Sequence, residues 1–188
     1  MDNKNIAENE RKVAAEIFDT LTRIDPGAIE SAMKLIRETG RKFFLGLGRG
    51  GLAVKAFEMR LFHLGFQAFE VWGINTPPVT ENDLLVIVSC SGNTETTVNI
   101  AEKAKAYGAK IMLFTTNPDS VLGRMADSTI QIQAPSMKLH EGKDASVQLM
   151  NSLFEQSVFI IGDIITLCLT QEMRLEPEKI EKNHANLE

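Results

Sequence analysis

The chain is poor in the residues that build disulfide frameworks and metal centres. Its 188 residues contain two cysteines, Cys90 and Cys168, and three histidines. The cysteines have neither the spacing of metal ligands nor the number that a disulfide-stabilised fold requires. We therefore expect reduced thiols in a cytoplasmic protein, and we predict no metal site.

Positive charge is not concentrated anywhere along the chain. Twenty lysines and arginines against 25 aspartates and glutamates give a net charge of -5, and there is no basic stripe or lysine-rich tail. The usual electrostatic footprint of a nucleic-acid-binding protein is therefore excluded. Residues 1–12 are polar, unlike a signal peptide, and no apolar run approaches the ~20 residues that span a bilayer. We expect no nucleic-acid partner and no membrane segment.

Short apolar runs that alternate with helical patterns are the main structural signal. Strand-like runs lie at residues 43–45, 66–71, 84–89, 111–115 and 129–132. Strands alternating with helices favour a parallel sheet covered on both faces. A hydrophobic content of 44% is enough for one substantial core. We predict one α/β domain over residues 1–188, with N-terminal helices at about 5–39, a core at about 40–135, and a C-terminal helix and tail at about 147–188.

Local residue patterns predict where several helices begin and end. Asp25 and Pro26 are typical of a helix N-cap and first turn, and that helix should end at Gly40. Asn117 and Pro118 should open a short helix. The prediction is completed by helices over residues 53–64 and 147–173 and by a polar segment, residues 134–146, that is either a lid or a plain surface connection.

The most informative motif follows the third predicted strand, where a buried strand turns directly into a helix predicted over residues 94–107. The motif, called the phosphate turn below, consists of Ser89, Cys90, Ser91, Gly92, Asn93 and Thr94. Hydroxyl donors and open amides at a helix N-terminus suit an anion, and Gly92 lets the backbone approach it closely. There is no GxxxxGK[ST] motif, so a phosphate monoester is a better guest than a nucleoside triphosphate. The alternative is a hydroxyl-capped helix without a ligand.

The loop after the first strand offers a rival interpretation. Residues 46–51 spell GxGxxG, and Glu70 lies near the end of the next strand, as in a dinucleotide-binding fingerprint. However, Arg49 lies inside the loop, and the chain has no room for a separate substrate domain. Two anion-binding turns after neighbouring parallel strands instead predict one small crevice that holds one phosphorylated molecule.

These residues resemble a known family. The SxSGxT pattern at residues 89–94 is similar to the sugar isomerase (SIS) domain. Four further segments resemble the 6-phospho-3-hexuloisomerases within that family. They are residues 46–65, the Thr76-Pro77-Pro78 turn, residues 151–156 (NSLFEQ) and residues 184–188. The resemblance covers essentially the whole chain, and it implies a Rossmann-like, three-layer α/β fold with a five-stranded parallel sheet.

The resemblance also implies a reaction and an assembly. The reaction is the isomerisation of D-arabino-hex-3-ulose 6-phosphate to fructose 6-phosphate, without a metal or an organic cofactor. The assembly is a homotetramer whose sites are shared between subunits. The implied role lies in formaldehyde fixation through the ribulose monophosphate pathway, or in formaldehyde detoxification.

Two residues receive catalytic roles from the resemblance. Moving a carbonyl along a sugar requires a base that removes a proton from the adjacent carbon, and a carboxylate in a partly dry site does this well. Glu155 matches the family's proton acceptor, although helix statistics alone favour a solvated glutamate. His184 matches a proton donor that reaches a neighbouring subunit. His63 is interpreted as structural, and His140 is left undecided.

The chain also departs from the family pattern. In the first loop Arg49 remains as a substrate ligand. The departures are Gly50 for serine, Trp72-Gly73 for GE, Cys90 for glycine, Asn93 for glutamate, and Leu149-Met150-Asn151 for PMG. They remove two carboxylates and a hydroxyl from the region that would bind the sugar, and a site that recognises hydroxyls discriminates through such groups. Isomerisation of another sugar phosphate is therefore an alternative.

A non-catalytic sugar-phosphate sensor is an alternative from a different class of function. SIS domains in regulators are usually joined to a DNA-binding helix-turn-helix segment. The residues before Asp25 are too few and too acidic to form one. A free-standing sensor would also have no need for Glu155, so the sequence favours an enzyme.

Overall fold

The computed structural model describes residues 3–135 and 146–187. Five parallel strands form one sheet in the order β2-β1-β3-β4-β5. The strands are β1 (Lys42–Gly46), β2 (Ala68–Glu70), β3 (Leu84–Val88), β4 (Lys110–Thr115) and β5 (Ser128–Gln131). The helices are α1 (Asn3–Thr22), α2 (Pro26–Glu38), α3 (Gly48–His63), α4 (Glu95–Ala106), α5 (Val121–Met125), α6 (Ser152–Glu172) and α7 (Pro177–Glu181). The predicted α/β class and all five predicted strands are confirmed.

Alternation of side chains along the strands produces three layers. Phe44, Val86 and Met112 point to one face of the sheet, where they pack with buried residues of α2, α3 and α6. Leu85 and Ile111 point to the opposite face, against α4 and α5. Because successive strand residues face opposite sides, a strand buried on both faces is apolar at every position, as β3 is. The two hydrophobic clusters thus explain the continuous apolar runs in the sequence.

Helix α6 is long and strongly apolar. Among the described residues it is the one helix that meets the length and composition criteria for a membrane span, whereas we expected no such run from the sequence. Half of its most apolar window is buried inside the protein, as in the core helix of a soluble protein, so this feature is weak support for a membrane segment. In the structure it packs against α3 and α1.

Three predicted helix boundaries were wrong. Helix α6 begins at Ser152 rather than at residue 147, because the Glu16 carboxylate accepts hydrogen bonds from the Ser146 hydroxyl (2.9 Å) and the Val147 amide (2.7 Å) and holds this segment in a turn. Helix α5 is capped by the hydroxyl of Ser120 rather than by Asn117. Helix α3 begins at Gly48, so the glycine-rich segment is its first turn. The predicted cap of α2 is confirmed.

The order of the strands creates a crevice at their carboxyl ends. Helix α3 follows β1 and covers one face of the sheet, while α4 follows the neighbouring strand β3 and covers the other face. At such a switch point the two connections diverge and leave a depression above the strand ends. The phosphate turn and the glycine-rich segment therefore face each other, as the sequence predicts.

The phosphate turn is fixed in place by its packing on α5. Gly92 has a φ of +65°, and its carbonyl accepts a hydrogen bond from the Leu122 amide (3.1 Å). A Cβ atom at Gly92 would overlap the Ser120 side chain. Only glycine combines this left-handed backbone with so close a contact. Gly48 also has a positive φ, +54°, but a Cβ there would meet nothing within 4 Å.

We expect Gly92→Ala to lower the free energy of unfolding by about 2–4 kcal/mol, because backbone strain and overlap with Ser120 add. The control Gly48→Ala introduces strain without overlap and should cost only about 1–2 kcal/mol. Urea denaturation followed by circular dichroism measures both losses. Adding Ser120→Gly to Gly92→Ala should recover part of the loss, and equal losses in the two single variants would contradict this account.

Candidate active site

The crevice encloses about 440 Å³ between the ends of β1, β3 and β4 and the start of α6. Its walls come from four separate segments of the chain. They comprise Leu47, Gly50, Val88, Ser89, Cys90, Ser91, Asn93, Thr94, Thr97, Thr116, Asn117, Asn151, Phe154 and Glu155. Apart from Glu155, these lining side chains are neutral, so an anion here would be held by amides and hydroxyls.

The phosphate turn leaves only part of its donors available, because the Gly92 and Asn93 amides already form hydrogen bonds within the turn. Thr94 is the N-cap residue of α4, yet no side chain forms a capping hydrogen bond there. The first amides of α4 therefore lack the hydroxyl cap that the ligand-free interpretation requires. Asn93 supports the turn, since its Nδ2 donates to the Ser91 carbonyl (3.2 Å) and its Oδ1 accepts from the Val121 amide (3.0 Å). The turn is an open cradle attached to α5.

The glycine-rich segment brings α3 close to the sheet. A Cβ at Gly51 would lie 2.7 Å from the carbonyl oxygen of Gly46, so the α3 and β1 backbones are in direct contact. Gly50 lines the crevice, and a Cβ there would lie 3.2 Å from Val88 Cγ1. Glu70, which a dinucleotide fingerprint would use for a ribose, pairs with Lys55 at 2.7 Å. The glycines therefore serve close packing of the helix on the strand.

Glu155 lies in the first turn of α6 and pairs with Arg49 from the first turn of α3. The Arg49 Nε donates to Glu155 Oε2 at 2.6 Å. The side chain of Glu155 is 16% exposed and that of Arg49 is 57% exposed. The predicted carboxylate is thus in the crevice wall, largely shielded from solvent, with its charge balanced by a guanidinium.

Arg49 does not lie in the crevice, where the sequence predicts it as a substrate ligand. It does not line the crevice but a second cavity of about 530 Å³, between α1, α3 and α6. Glu155 lines both cavities and stands between them. Within the described residues, the structure gives the guanidinium one partner, through Nε. Its two terminal nitrogens have no protein acceptor there.

Cys90 is a protonated thiol in this environment. Burial raises the pKa of the Cys90 thiol, and the negative charge of Glu155 acts in the same direction, against a hydrogen bond with Thr116 that lowers it. The Cys90 Sγ lies 3.8 Å from the Thr116 Oγ1. A thiol held in this form is a weak nucleophile, so Cys90 contributes shape to the crevice.

The two histidines within the described residues, His63 and His184, do not approach Glu155 within one chain. The rings of His184 and His63 lie 5.1 Å apart, and the Asn183 Nδ2 donates to the His63 carbonyl at 3.0 Å. His63 is the last residue of α3, whereas Arg49, which holds Glu155, is in the first turn of that helix. A 16-residue helix is about 24 Å long, so His184 lies at the opposite edge of the sheet. His140 lies outside the described residues.

Several crevice residues were missed from the sequence. Thr116 and Asn117 follow β4, and Thr97 and Phe154 reach the cavity from α4 and α6. A signal for the first two was present, because polar residues directly after a strand that neighbours β3 lie at the same edge of a parallel sheet. Thr97 and Phe154 carry no comparable signal, since their spacing only indicates the inner face of a helix.

Comparison with known proteins assigns the chain to a family. The model of the SIS domain matches residues 35–160. A 3-hexulose-6-phosphate isomerase of Mycobacterium gastri is 38% identical over 184 residues, which cover 98% of this chain and 92% of the relative. A 3-hexulose-6-phosphate isomerase of Bacillus subtilis is 40% identical over 146 residues, which cover 78% of this chain and 79% of the relative.

The fold is also found in a solved structure from Methanococcus jannaschii, with a TM-score of 0.81 and 28% sequence identity. The match covers 96% of this chain and 99% of that one, and a function of 3-hexulose-6-phosphate isomerase has been inferred for that protein from its structure. Sequence and fold therefore agree over nearly the full length. The chain belongs to the SIS domain family and, within it, to the family of the 3-hexulose-6-phosphate isomerases.

Proposed function

We propose that this protein isomerises D-arabino-hex-3-ulose 6-phosphate to fructose 6-phosphate in the crevice, with the phosphate on the phosphate turn and Glu155 as the base. The observation that carries the proposal is that one cavity is lined both by an open anion cradle and by a shielded carboxylate. A phosphate anchored at one end of a sugar places the carbons of the sugar at a fixed distance from the base.

The reaction moves a carbonyl from C3 to C2 and needs only proton transfers. Glu155 removes the proton from C2, and the electrons of that bond form the C2=C3 double bond of an enediol as the oxygen on C3 gains a proton. The oxygen on C2 then loses its proton, and Glu155 returns a proton to C3. A single carboxylate serves both carbons because they are adjacent on one face of the intermediate.

Arg49 supports this chemistry by holding the base in place. Its Nε donates to Oε2 and orients the Glu155 carboxylate. The guanidinium lines the second cavity rather than the crevice, so its role is to position Glu155 and not to contact the sugar.

The departures from the family pattern favour a test of related substrates. Four of the substituted residues line the crevice, where they would contact a bound sugar phosphate, and the other four do not: the first group is Gly50, Cys90, Asn93 and Asn151, and the second is Trp72, Gly73, Leu149 and Met150. Isomerisation of another ketose or aldose phosphate is the second candidate function. A panel of sugar phosphates, screened by thermal shift and then assayed for isomerisation, ranks the substrates and separates an enzyme from a sensor.

We also propose that the active assembly is a homotetramer with shared sites, in the cytoplasm, within formaldehyde fixation or detoxification. Large apolar side chains are exposed on α1, α3 and α6, including Phe18 (67%), Leu52 (68%) and Leu167 (58%). Such exposure is typical of surfaces that a partner covers. His184 lies too far from Glu155 in its own chain, so a neighbouring subunit would supply it.

Ser91→Ala should weaken binding of the phosphorylated substrate by ~1–3 kcal/mol, because one hydrogen bond to a charged group is lost. Isothermal titration calorimetry with the best substrate measures the change. Ser128→Ala is the matched control, since the hydroxyl of this buried serine has no hydrogen-bond partner within the described residues. Equal affinities in the two variants would remove Ser91 from the site.

Glu155→Gln should lower kcat by ~10²-fold or more and leave binding nearly unchanged, because the amide keeps the shape of the side chain but cannot accept the proton. It should also stop solvent deuterium from entering the sugar beside the carbonyl. Glu172→Gln is the control on the same helix, since Glu172 pairs with Arg37 at 2.8 Å and removal of its charge should leave kcat unchanged. Retained turnover in Glu155→Gln would dismiss this residue as the base.

Shared sites predict that two inactive variants complement each other. Glu155→Gln and His184→Ala should each be impaired alone, but co-expressed chains should recover activity. At equal expression about a quarter of the sites would combine an intact Glu155 with an intact His184 from another chain. Activity of purified mixed assemblies, with their mass from light scattering, measures this. No recovery in a mixed tetramer would show that both residues act within one chain, and full activity of His184→Ala alone would show that His184 has no role.

A further inference from the structure

The carbonyl oxygen of Cys90, in the middle of the phosphate turn, accepts three hydrogen bonds from the segment after β4. The donors are the Thr115 hydroxyl at 3.0 Å, the Thr116 hydroxyl at 2.9 Å and the Thr116 amide at 3.0 Å. A carbonyl has two lone pairs, so three donors saturate it. The Cys90–Ser91 peptide group is therefore fixed by more hydrogen bonds than a peptide group in an ordinary turn.

These bonds change the register at the end of the sheet. The last regular bond between β3 and β4 joins the Ser89 amide to the Phe114 carbonyl at 3.1 Å. A continued parallel ladder would next join the Thr116 amide to the Ser89 carbonyl and the Ser91 amide to the Thr116 carbonyl. Instead the Thr116 amide bonds to Cys90, and the Ser89 carbonyl accepts from the Gly92 amide at 3.2 Å. The shift by one residue leaves the Ser91 amide outside the ladder.

The orientation of the Cys90–Ser91 peptide then follows from its planarity. No peptide bond among the described residues is cis, and in a trans peptide the C=O and N–H groups point in opposite directions. Since the Cys90 carbonyl points towards β4, the Ser91 amide points towards β1, on the other side of β3. The crevice extends to that side, where Leu47 and Gly50 line it, and Ser91 is part of its wall.

We propose that Thr115 and Thr116 are positioning residues that orient this peptide so that the Ser91 amide donates to the substrate phosphate. The inference rests on the proposed function only in placing a phosphate at this turn. If the peptide turned over, its carbonyl oxygen would face a dianion, which would repel it. Fixing the donor before the ligand arrives also avoids the cost of ordering the turn on binding.

The two threonines differ in their access to the ligand. Thr115 is completely buried and packed beneath the turn, where its hydroxyl also accepts from the Asn117 amide at 3.1 Å. Thr116 lines the crevice, and its hydroxyl is committed to the Cys90 carbonyl. Thr116 is therefore the better position to change. Removing the Thr115 hydroxyl would also leave the Asn117 amide without its acceptor, whereas removing the Thr116 hydroxyl would not.

The test compares Thr116→Val, which removes the hydroxyl and keeps the shape, with Thr116→Ser, which restores the hydroxyl. The dissociation constant for inorganic phosphate, from calorimetric titration, should rise about fivefold to tenfold in the valine variant and return near the wild-type value in the serine variant. With the sugar-phosphate substrate, KM should rise by a similar factor while kcat changes little, since phosphate binding is equal in the ground and transition states.

Thr170→Val is the control, because its hydroxyl also bonds a backbone carbonyl, that of Thr166 at 2.8 Å, but on α6 outside the crevice wall. It should leave the affinity for phosphate unchanged. If Thr116→Val binds phosphate as tightly as Thr170→Val, or if serine does not rescue it, the positioning role is overturned while the isomerase proposal stands.

The opposite pattern separates the two proposals. Loss of phosphate affinity in Thr116→Val, rescued by serine, in a protein that turns over no sugar phosphate would support the positioning role and overturn the isomerase. Should the valine variant fail to fold by circular dichroism, Thr116→Ala makes the same comparison with a smaller side chain. Its result is judged by the same phosphate titration and against the same control.

Discussion

The direct contact between the backbones of α3 and β1 is the constraint on which the crevice depends. It occurs at Gly46 and Gly51, where a Cβ on either residue would come within 3 Å of the other's backbone. Because no side chain separates them, the first turn of α3 lies against the end of β1 and beside that of β3. This places Gly50 in the crevice wall and lets Arg49 reach Glu155 on α6.

The crevice separates its two tasks between two kinds of group. Neutral amides and hydroxyls belong to the phosphate turn, whereas the carboxylate of Glu155 lies in the part of the wall that α6 forms. Arg49 pairs with Glu155 from the side of the second cavity, so the guanidinium serves the carboxylate rather than the anion cradle. Hydrogen bonds fix the phosphate turn to the segment after β4, through Thr116, and to α5, through Asn93, and they keep the anion cradle rigid.

Much of the fold and part of the site could be predicted from the sequence. The continuous apolar run of β3 and the hydroxyl-rich turn after it are local patterns, and both lie where they were predicted. The start of α6 could not be predicted, because Glu16, over 130 residues earlier, holds the preceding segment in a turn. The hydrogen bond from Thr116 to the phosphate turn could not be predicted for a similar reason, since its partner Cys90 is 26 residues away.

The sequence by itself determined the α/β class, the strand positions and the phosphate turn and, through family resemblance, made Glu155 the candidate for the base. These follow from residue periodicity and short motifs, which depend on neighbours along the chain. Only the tertiary structure decided that Arg49 pairs with Glu155, 106 residues away, and that His184 lies beside His63, at the other end of α3. Such contacts depend on how helices pack on the sheet, and no local pattern encodes that geometry.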